Sequence, residues 1–303
     1  TTTASFSAEA ILGGVSSDFA LDESVSFDYQ YQIGLTSSFT GEDSLDVTID
    51  VGGPSDAEDA TNSETSGIFG MDATDDKLVV DGITYTFPVG GATMMVGDST
   101  DISAVYTGAC AYSGFTDYIG DCGTGSSVGL VGAGATVAAS YAFDGGFSLA
   151  GGISSPNTTL VGSDTDLYGI EAAYTADDYG VSVAFSDQEV ATYVGVNGYY
   201  AFDFATISAG YETEDSEDDA VEDASAFFVG LTKEVGPGTA ELGYASTDML
   251  SAFEGLSGET GYLYEASYAY PVNDALTITP GIAIVDVDAG ETTFAAVKAS
   301  FSF

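Results

Sequence analysis

Segments roughly ten residues long, alternating apolar and polar side chains, recur along this chain and constrain its fold more than any other feature. In "VSFDYQYQIGL", Val25, Phe27, Tyr29, Tyr31, Ile33 and Leu35 alternate with Ser26, Asp28, Gln30, Gln32 and Gly34. A period of two belongs to a β-strand with one oily and one wet face. "SLDVTIDV" sets Leu45, Val47, Ile49 and Val51 against Asp46, Thr48 and Asp50. "GYLYEASYAY" groups Tyr262, Tyr264, Ala266, Tyr268 and Tyr270 opposite Glu265. About sixteen such segments can be counted, many of about nine to eleven residues, the length a tilted strand needs to cross a bilayer. Which face points inward decides the fold.

The connections answer. Tight turns are expected at "FTGED", "PVGGA", "FDGG", "TADDYG", "AFDF", "EVGPG" and "PVND". Between them fall longer links: Gly52 to Asp76, Gly97 to Ser127, Ser154 to Thr165, Glu212 to Ala224 and Ser246 to Glu259. Short turns on one side and long loops on the other are the plan of bacterial outer-membrane barrels. The chain also ends on the strand "FAAVKASFSF", with Val297, Ala299, Phe301 and Phe303 on one face. The expected fold is therefore all-β: one closed antiparallel transmembrane barrel of about sixteen strands over residues 1–303, oily outside and wet inside. A soluble sandwich with the aromatic face as core is the alternative. A barrel of this size leaves an aqueous channel.

Composition removes other functions. The 303 residues carry 48 acids and three bases, Lys77, Lys233 and Lys298, with no Arg, His or Trp. Nothing is available to neutralise nucleic-acid phosphates. His-dependent general-base chemistry is excluded, which leaves an outer-membrane lipase or protease with no triad to build. With 45% hydrophobic residues the chain is too apolar to be a disordered acidic tail. No run approaches about eighteen apolar residues, so no transmembrane helix is expected.

Alternation turns Glu9, Asp28, Gln30, Gln32, Asp46, Thr48, Asp50, Glu171, Glu241 and Glu265 toward the lumen, with Lys298 among them. One-signed charge in a low-dielectric wall concentrates counter-ions, and acidic rings favour cations. A cation-preferring pore is expected, unless some of these carboxylates are protonated or cation-bound. Loop acids form the runs "DATDDK" and "ETEDSEDDAVED". Either they are a solvated, self-repelling surface, or Asp215, Glu217, Asp218 and Asp219 gather Ca²⁺ or Mg²⁺ loosely and bridge to lipopolysaccharide. No cofactor is required.

Cys110 and Cys122 are the two cysteines, both between the fifth and sixth strands. A cell envelope is oxidising, so a disulfide is expected there. In barrels of sixteen strands the third outer loop commonly folds inward and narrows the channel. Residues 97–128 are the third by count, which makes Tyr112, Phe115, Asp117, Tyr118 and Asp121 constriction candidates. Their rings either offer sugars a stacking surface or pack the loop against the wall.

Three stretches carry a resemblance. "LTSSFTGEDSLDVTIDVGG", "YAYPVNDALTITPGIAIV" and the opening "TTTASFSAEAILGG" resemble cyanobacterial outer-membrane porins, relatives of carbohydrate-selective porins. The resemblance implies passive diffusion of small hydrophilic solutes and ions through a barrel, a homotrimer set in outer-membrane lipid, and a neighbouring cell-wall-binding domain that is not part of this chain. Where that family places basic residues after the Phe-Thr-Gly run, this chain has Asp46 and Asp50. The competing reading is an acidic surface or adhesive β-protein that organises divalent cations without transport.

Overall fold

The computed structural model describes residues 1–18, 24–53, 67–128, 134–157, 159–160, 166–217, 222–246, 261–288 and 290–303. Sixteen antiparallel strands form one closed sheet. They are β1 (Thr2–Ser17), β2 (Ser24–Ser37), β3 (Ser44–Gly52), β4 (Val79–Val89), β5 (Ala92–Thr100), β6 (Gly134–Ala142), β7 (Phe147–Ser155) and β8 (Leu167–Thr175). The second half comprises β9 (Tyr179–Asp187), β10 (Ala191–Phe202), β11 (Ala205–Ser216), β12 (Ala224–Val235), β13 (Gly238–Ser246), β14 (Gly261–Asn273), β15 (Leu276–Val287) and β16 (Gly290–Ser302). Each strand pairs with its sequence neighbours, and β16 returns to β1 with Glu9 opposite Ser300. The seam is finished at its end by Phe303 N–H donating to the Phe6 carbonyl and Phe6 N–H donating back to Phe303.

The oily face is outside. Val25 and Phe27 are 76% and 63% exposed, while Ser26 between them is buried. On β9, Tyr179, Val181, Val183 and Phe185 are exposed, and Gly180, Ser182, Ala184 and Ser186 are buried. Outward rings gather at the two ends of the wall. Phe147, Tyr174, Tyr179, Tyr200, Phe202 and Phe204 make successive ring contacts beside the short turns. Phe227, Tyr244, Tyr262 and Tyr264 do the same toward the opposite end. Such girdles flank the apolar band of membrane barrels.

The seven short turns fall where the sequence puts them, and the long links all leave from the other end. Two features differ from expectation. The links after β9 and β15 are nearly as short as the turns, so the end with long loops is uneven. Glu212, taken as the start of a loop, instead lies inside β11, which continues to Ser216.

The turn before β3 is organised by one carboxylate. Asp43 accepts from the backbone N–H groups of Phe39 and Thr40 and from the hydroxyls of Ser38, Thr40 and Tyr85. The Thr40 N–H foremost, with Ser38 and Tyr85, holds its pKa well below the usual carboxylate range. A group with a depressed folded pKa adds stability above its unfolded value of about 3.9 and loses it as pH falls through the folded value. Asp43→Asn should therefore lower the thermal midpoint at pH 7, and its deficit against the parent should shrink as pH drops below about 4.

Candidate functional site

The interior is asymmetric because two links pack into it: the one after β5, and Ile68, Phe69 and Met71 of the one after β3, with Phe69 edge-on to Phe115. After β5 the chain makes a 3₁₀ turn at Ile102–Val105, a longer one at Asp117–Gly123 and one α-turn at Gly125–Val128. Ile102 packs on Met95 and Ala138, the inward side chains of β5 and β6. Phe115 and Ile119 join Ile11 and Val15 of β1, Phe228 of β12, Leu263 of β14, Val285 of β15 and Phe294 of β16 in one buried cluster. A segment touching inward side chains of strands this far apart around a closed wall can do so only from within. Burying these rings offsets the ordering of the loop, at about 1.5–3 kcal/mol per fully buried large side chain.

Carboxylates fix its path. The backbone N–H groups of Thr107 and Gly108 each donate to Glu171 on β8, at 2.7 and 2.8 Å. Glu265 on β14 accepts four bonds: Tyr112 Oη and Phe115 N on Oε1, Thr116 N and Thr116 Oγ1 on Oε2. Glu241 on β13 takes Ser113 N together with Thr232 Oγ1. On the return leg Ser127 N donates to Glu212. Asn197 Nδ2 of β10 donates to Thr124 Oγ1. Bonds to an ionised acceptor are worth roughly twice those between neutral groups.

The loop is also tied to itself. Cys110 and Cys122 form a disulfide across 5.6 Å between Cα atoms, joining the outgoing and returning legs. The return leg lies so close to β11 that a Cβ on Gly210 would fall 1.6 Å from the Cys122 carbonyl oxygen. Phe115 likewise needs Gly281, where a Cβ would come within 2.6 Å of its ring.

The lumen-facing set thus divides. Glu171, Glu241 and Glu265 point inward, as alternation requires, but they are only 1%, 7% and 4% exposed. They hold the loop instead of meeting channel water. Asp50 is inward and also covered, at 4%. The uncovered part of the wall adjoins this cluster, at Glu9 of β1, Asp28 of β2 and Asp46 of β3, each half-buried. Glu9 accepts from Gln30 Nε2 and Ser300 Oγ, and its Oε1 lies 3.7 Å from Lys298 Nζ. Asp28 accepts from Ser26, and Asp46 from Thr36 and Ser44. Gln32 is exposed and Thr48 half-buried.

Of the loop candidates, Tyr112 and Phe115 are packed against the wall, the packing alternative of the two readings left open above. Tyr118 is half-buried against the same cluster, and Asp117 is exposed. The side chain of Asp121 lies outside the described residues. Asp215 ends up within β11 and Glu217 just beyond it, both exposed, whereas Asp218 and Asp219 lie outside the described residues. Among the described residues no three acids converge as metal ligands. Sequence reasoning missed Glu212; the inward parity Ser208, Gly210, Glu212 was the signal that could have found it.

Removing the acceptor at position 265 strands four donors in a dry site. Glu265→Ala should cost at least about 3 kcal/mol in equilibrium unfolding by guanidinium, whereas Glu265→Gln, which keeps one acceptor, should cost less. Replacing both cysteines by serine should remove up to about 3 kcal/mol in the same measurement, the entropy of a loop this short.

Residues 69–290 match the family described as Gram-negative porin. A search of curated proteins gives no sequence match. The fold is similar to that of OprB from Pseudomonas putida, with a TM-score of 0.75 at 11% identity over 100% of this chain and 94% of that one. It is similar too to an anion-selective porin from Comamonas acidovorans (TM-score 0.69, 14% identity, 100% and 99% covered). The in-vitro folded trimer form of OmpT from Vibrio cholerae gives a TM-score of 0.66 at 12% identity with both chains fully covered. Matched over most of its length and closed into sixteen strands around an inward-folded loop, this chain belongs to the Gram-negative porin family and forms a channel-type barrel of the bacterial outer membrane.

Proposed function

We propose that the barrel carries out passive diffusion of small hydrophilic solutes, sugars among them, and ions, with cations preferred over anions. The observation that carries this reading is the charge of the interior: inward side chains supply Glu9, Asp28 and Asp46 on the uncovered wall, and the one inward base, Lys298, is already paired with Glu9. Between low-dielectric walls that imbalance draws cations in and repels small anions. The Comamonas neighbour is called anion-selective, so the shared fold does not set the sign of selectivity.

The constriction in this reading lies between the inner loop and the strands that it leaves bare. Exposed Thr107, Ala111, Ser113 and Asp117 stand on the loop side, with Gln32 and Glu9 on the wall of β1 and β2. Sugars would meet hydroxyls, amides and carboxylates there, not ring faces.

A trimer is the assembly we infer. It rests on the trimeric neighbour and on small outward side chains such as Ala135 and Ala139 of β6, which let another subunit approach closely. A cyanobacterial lineage rests on the wording of residues 35–53 and 268–285. The acidic outer links would bind divalent cations diffusely and bridge to lipopolysaccharide.

Reversal potentials in a planar bilayer under a KCl gradient should take the sign of potassium preference; chloride preference would overturn this reading. Deleting residues 110–122 should raise single-channel conductance, since it removes the part of the loop that occupies the lumen.

A further inference from the structure

Lys233 is the one base on the lipid-facing side of the wall. It lies near the turn end of β12, on the same face as the exposed Val229 and Val235. Lys77 stands at the opposite end, ahead of β4, and Lys298 points inward. A lipid-facing ammonium is best tolerated near the interface, where its stem lies along apolar surface and its head reaches water. Among the described residues both ion pairs belong to the other two lysines, so Lys233 has none.

Lys233 borders a recess of about 490 Å³ shared with Phe202, Asp203 and Phe204 of the turn between β10 and β11, and with Glu234. Thr206 faces Thr232 across β11 and β12, which sets Lys233 beside that turn. Glu234 is engaged by Thr239, whose hydroxyl donates to it at 3.0 Å. Asp203, at the tip of the turn, is exposed and makes no ion pair with Lys233.

Next to the recess the outer face is hollowed. A mostly apolar groove of about 590 Å³ runs along β10 and β11 from Val196 and Tyr211 to Phe202, and Phe202 lines recess and groove alike. Its floor is Gly198 opposite Ala209, where only a methyl group rises. Tyr200 and Phe202 stand along it with ring centroids 4.4 Å apart. The six steps from Val196 to Phe202 rise about 20 Å at about 3.4 Å each. On a strand tilted about 40° that is about 15 Å of depth, half of a hydrocarbon core about 30 Å thick. The groove thus has the length of one leaflet's acyl chain, and the recess lies at the level of its headgroup.

Charge chooses the occupant. It has to bring an anion to Lys233 and a cation to Asp203, and it has to carry an apolar tail. A second copy of this chain has no outward base to offer except its own Lys233. A phospholipid with a zwitterionic headgroup has all three parts. Its phosphate suits the lysine. A primary ammonium can donate to the Asp203 carboxylate, whereas a quaternary one has no N–H and calls for a cage of rings. Phe202 and Phe204 are stacked, with 24° between their planes, and form no cage.

We propose that Lys233, Asp203 and the groove over Gly198 and Ala209 bind one zwitterionic phospholipid of the periplasmic leaflet, with a primary-ammonium headgroup of the ethanolamine class. The site stands apart from the channel, so it does not depend on which ions the lumen prefers.

The test uses the full chain in nanodiscs of phosphatidylcholine, phosphatidylethanolamine and phosphatidylglycerol in equal parts, followed by gentle release and native mass spectrometry. The chain should retain phosphatidylethanolamine ahead of the other two. Lys233→Gln should lower that retention about tenfold, the equivalent of about 1.4 kcal/mol. Asp203→Asn should erase the preference over phosphatidylcholine. Ala209→Phe fills the groove from a lipid-facing position and should abolish retention with both charged groups intact. Asp144→Asn, on another exposed turn, should change nothing, and parental single-channel conductance identifies each variant as a folded barrel. Equal retention of the three lipids, or undiminished retention in Ala209→Phe, overturns the site. So does displacement of the lipid by inorganic phosphate, which would leave only an anion site at Lys233. A change of assembly mass in Lys233→Gln or Ala209→Phe overturns it too, by making this face a contact between copies.

Discussion

Hydrocarbon offers no partner to a peptide group, and the rest of this molecule follows from that condition. Each N–H and C=O in the wall has to find its mate in the next strand, so the sheet must come back on itself. The pairing of β1 with β16 closes the circuit, and the mutual bonds of Phe6 and Phe303 finish the seam at the chain's last residue. Once the wall is closed, every strand owes one face to lipid and one to the interior. The period-two pattern in sequence is the record of that obligation.

Closure creates a second problem, since a ring of sixteen strands is too wide to be filled by its own side chains. The inner loop solves it on one side. Its rings complete an apolar cluster against β12 to β16 and β1, and its amides are received by carboxylates set at intervals along the wall. An acidic side chain is a good choice for this purpose. It is acceptor-only when ionised and can take several N–H groups at once, as Glu265 does. The acids within the barrel therefore have two different duties: some anchor the loop, and others remain on the uncovered wall.

Strand number, strand direction and the oily exterior were legible in the sequence because each strand carries its own local signature. Tyr262, Tyr264 and Glu265 could be assigned to their faces from parity alone. What parity could not reveal was coverage. Glu265 and Glu9 look alike in sequence, one acid between apolar neighbours, yet one is sealed beneath the loop and the other is half open. The difference comes from contacts across about 150 residues of chain, as between Thr116 and Glu265, and no periodicity encodes those. Tyr112 and Phe115 carried the same ambiguity until the glycines opposite them, Gly243 and Gly281, showed where the rings must lie. Glu212 was lost to the acidic run that follows it, because composition outweighed alternation there.

The scarcity of bases has a consequence for survival outside the cell. Proteases that cut after lysine or arginine have three targets in the whole chain. Lys298 is within the barrel beside Glu9, and Lys233 lies in the hydrogen-bonded ladder of β12. Only the bond between Lys77 and Leu78, both exposed ahead of β4, is presented to such an enzyme, so this chain offers trypsin-like proteases a single open cleavage point.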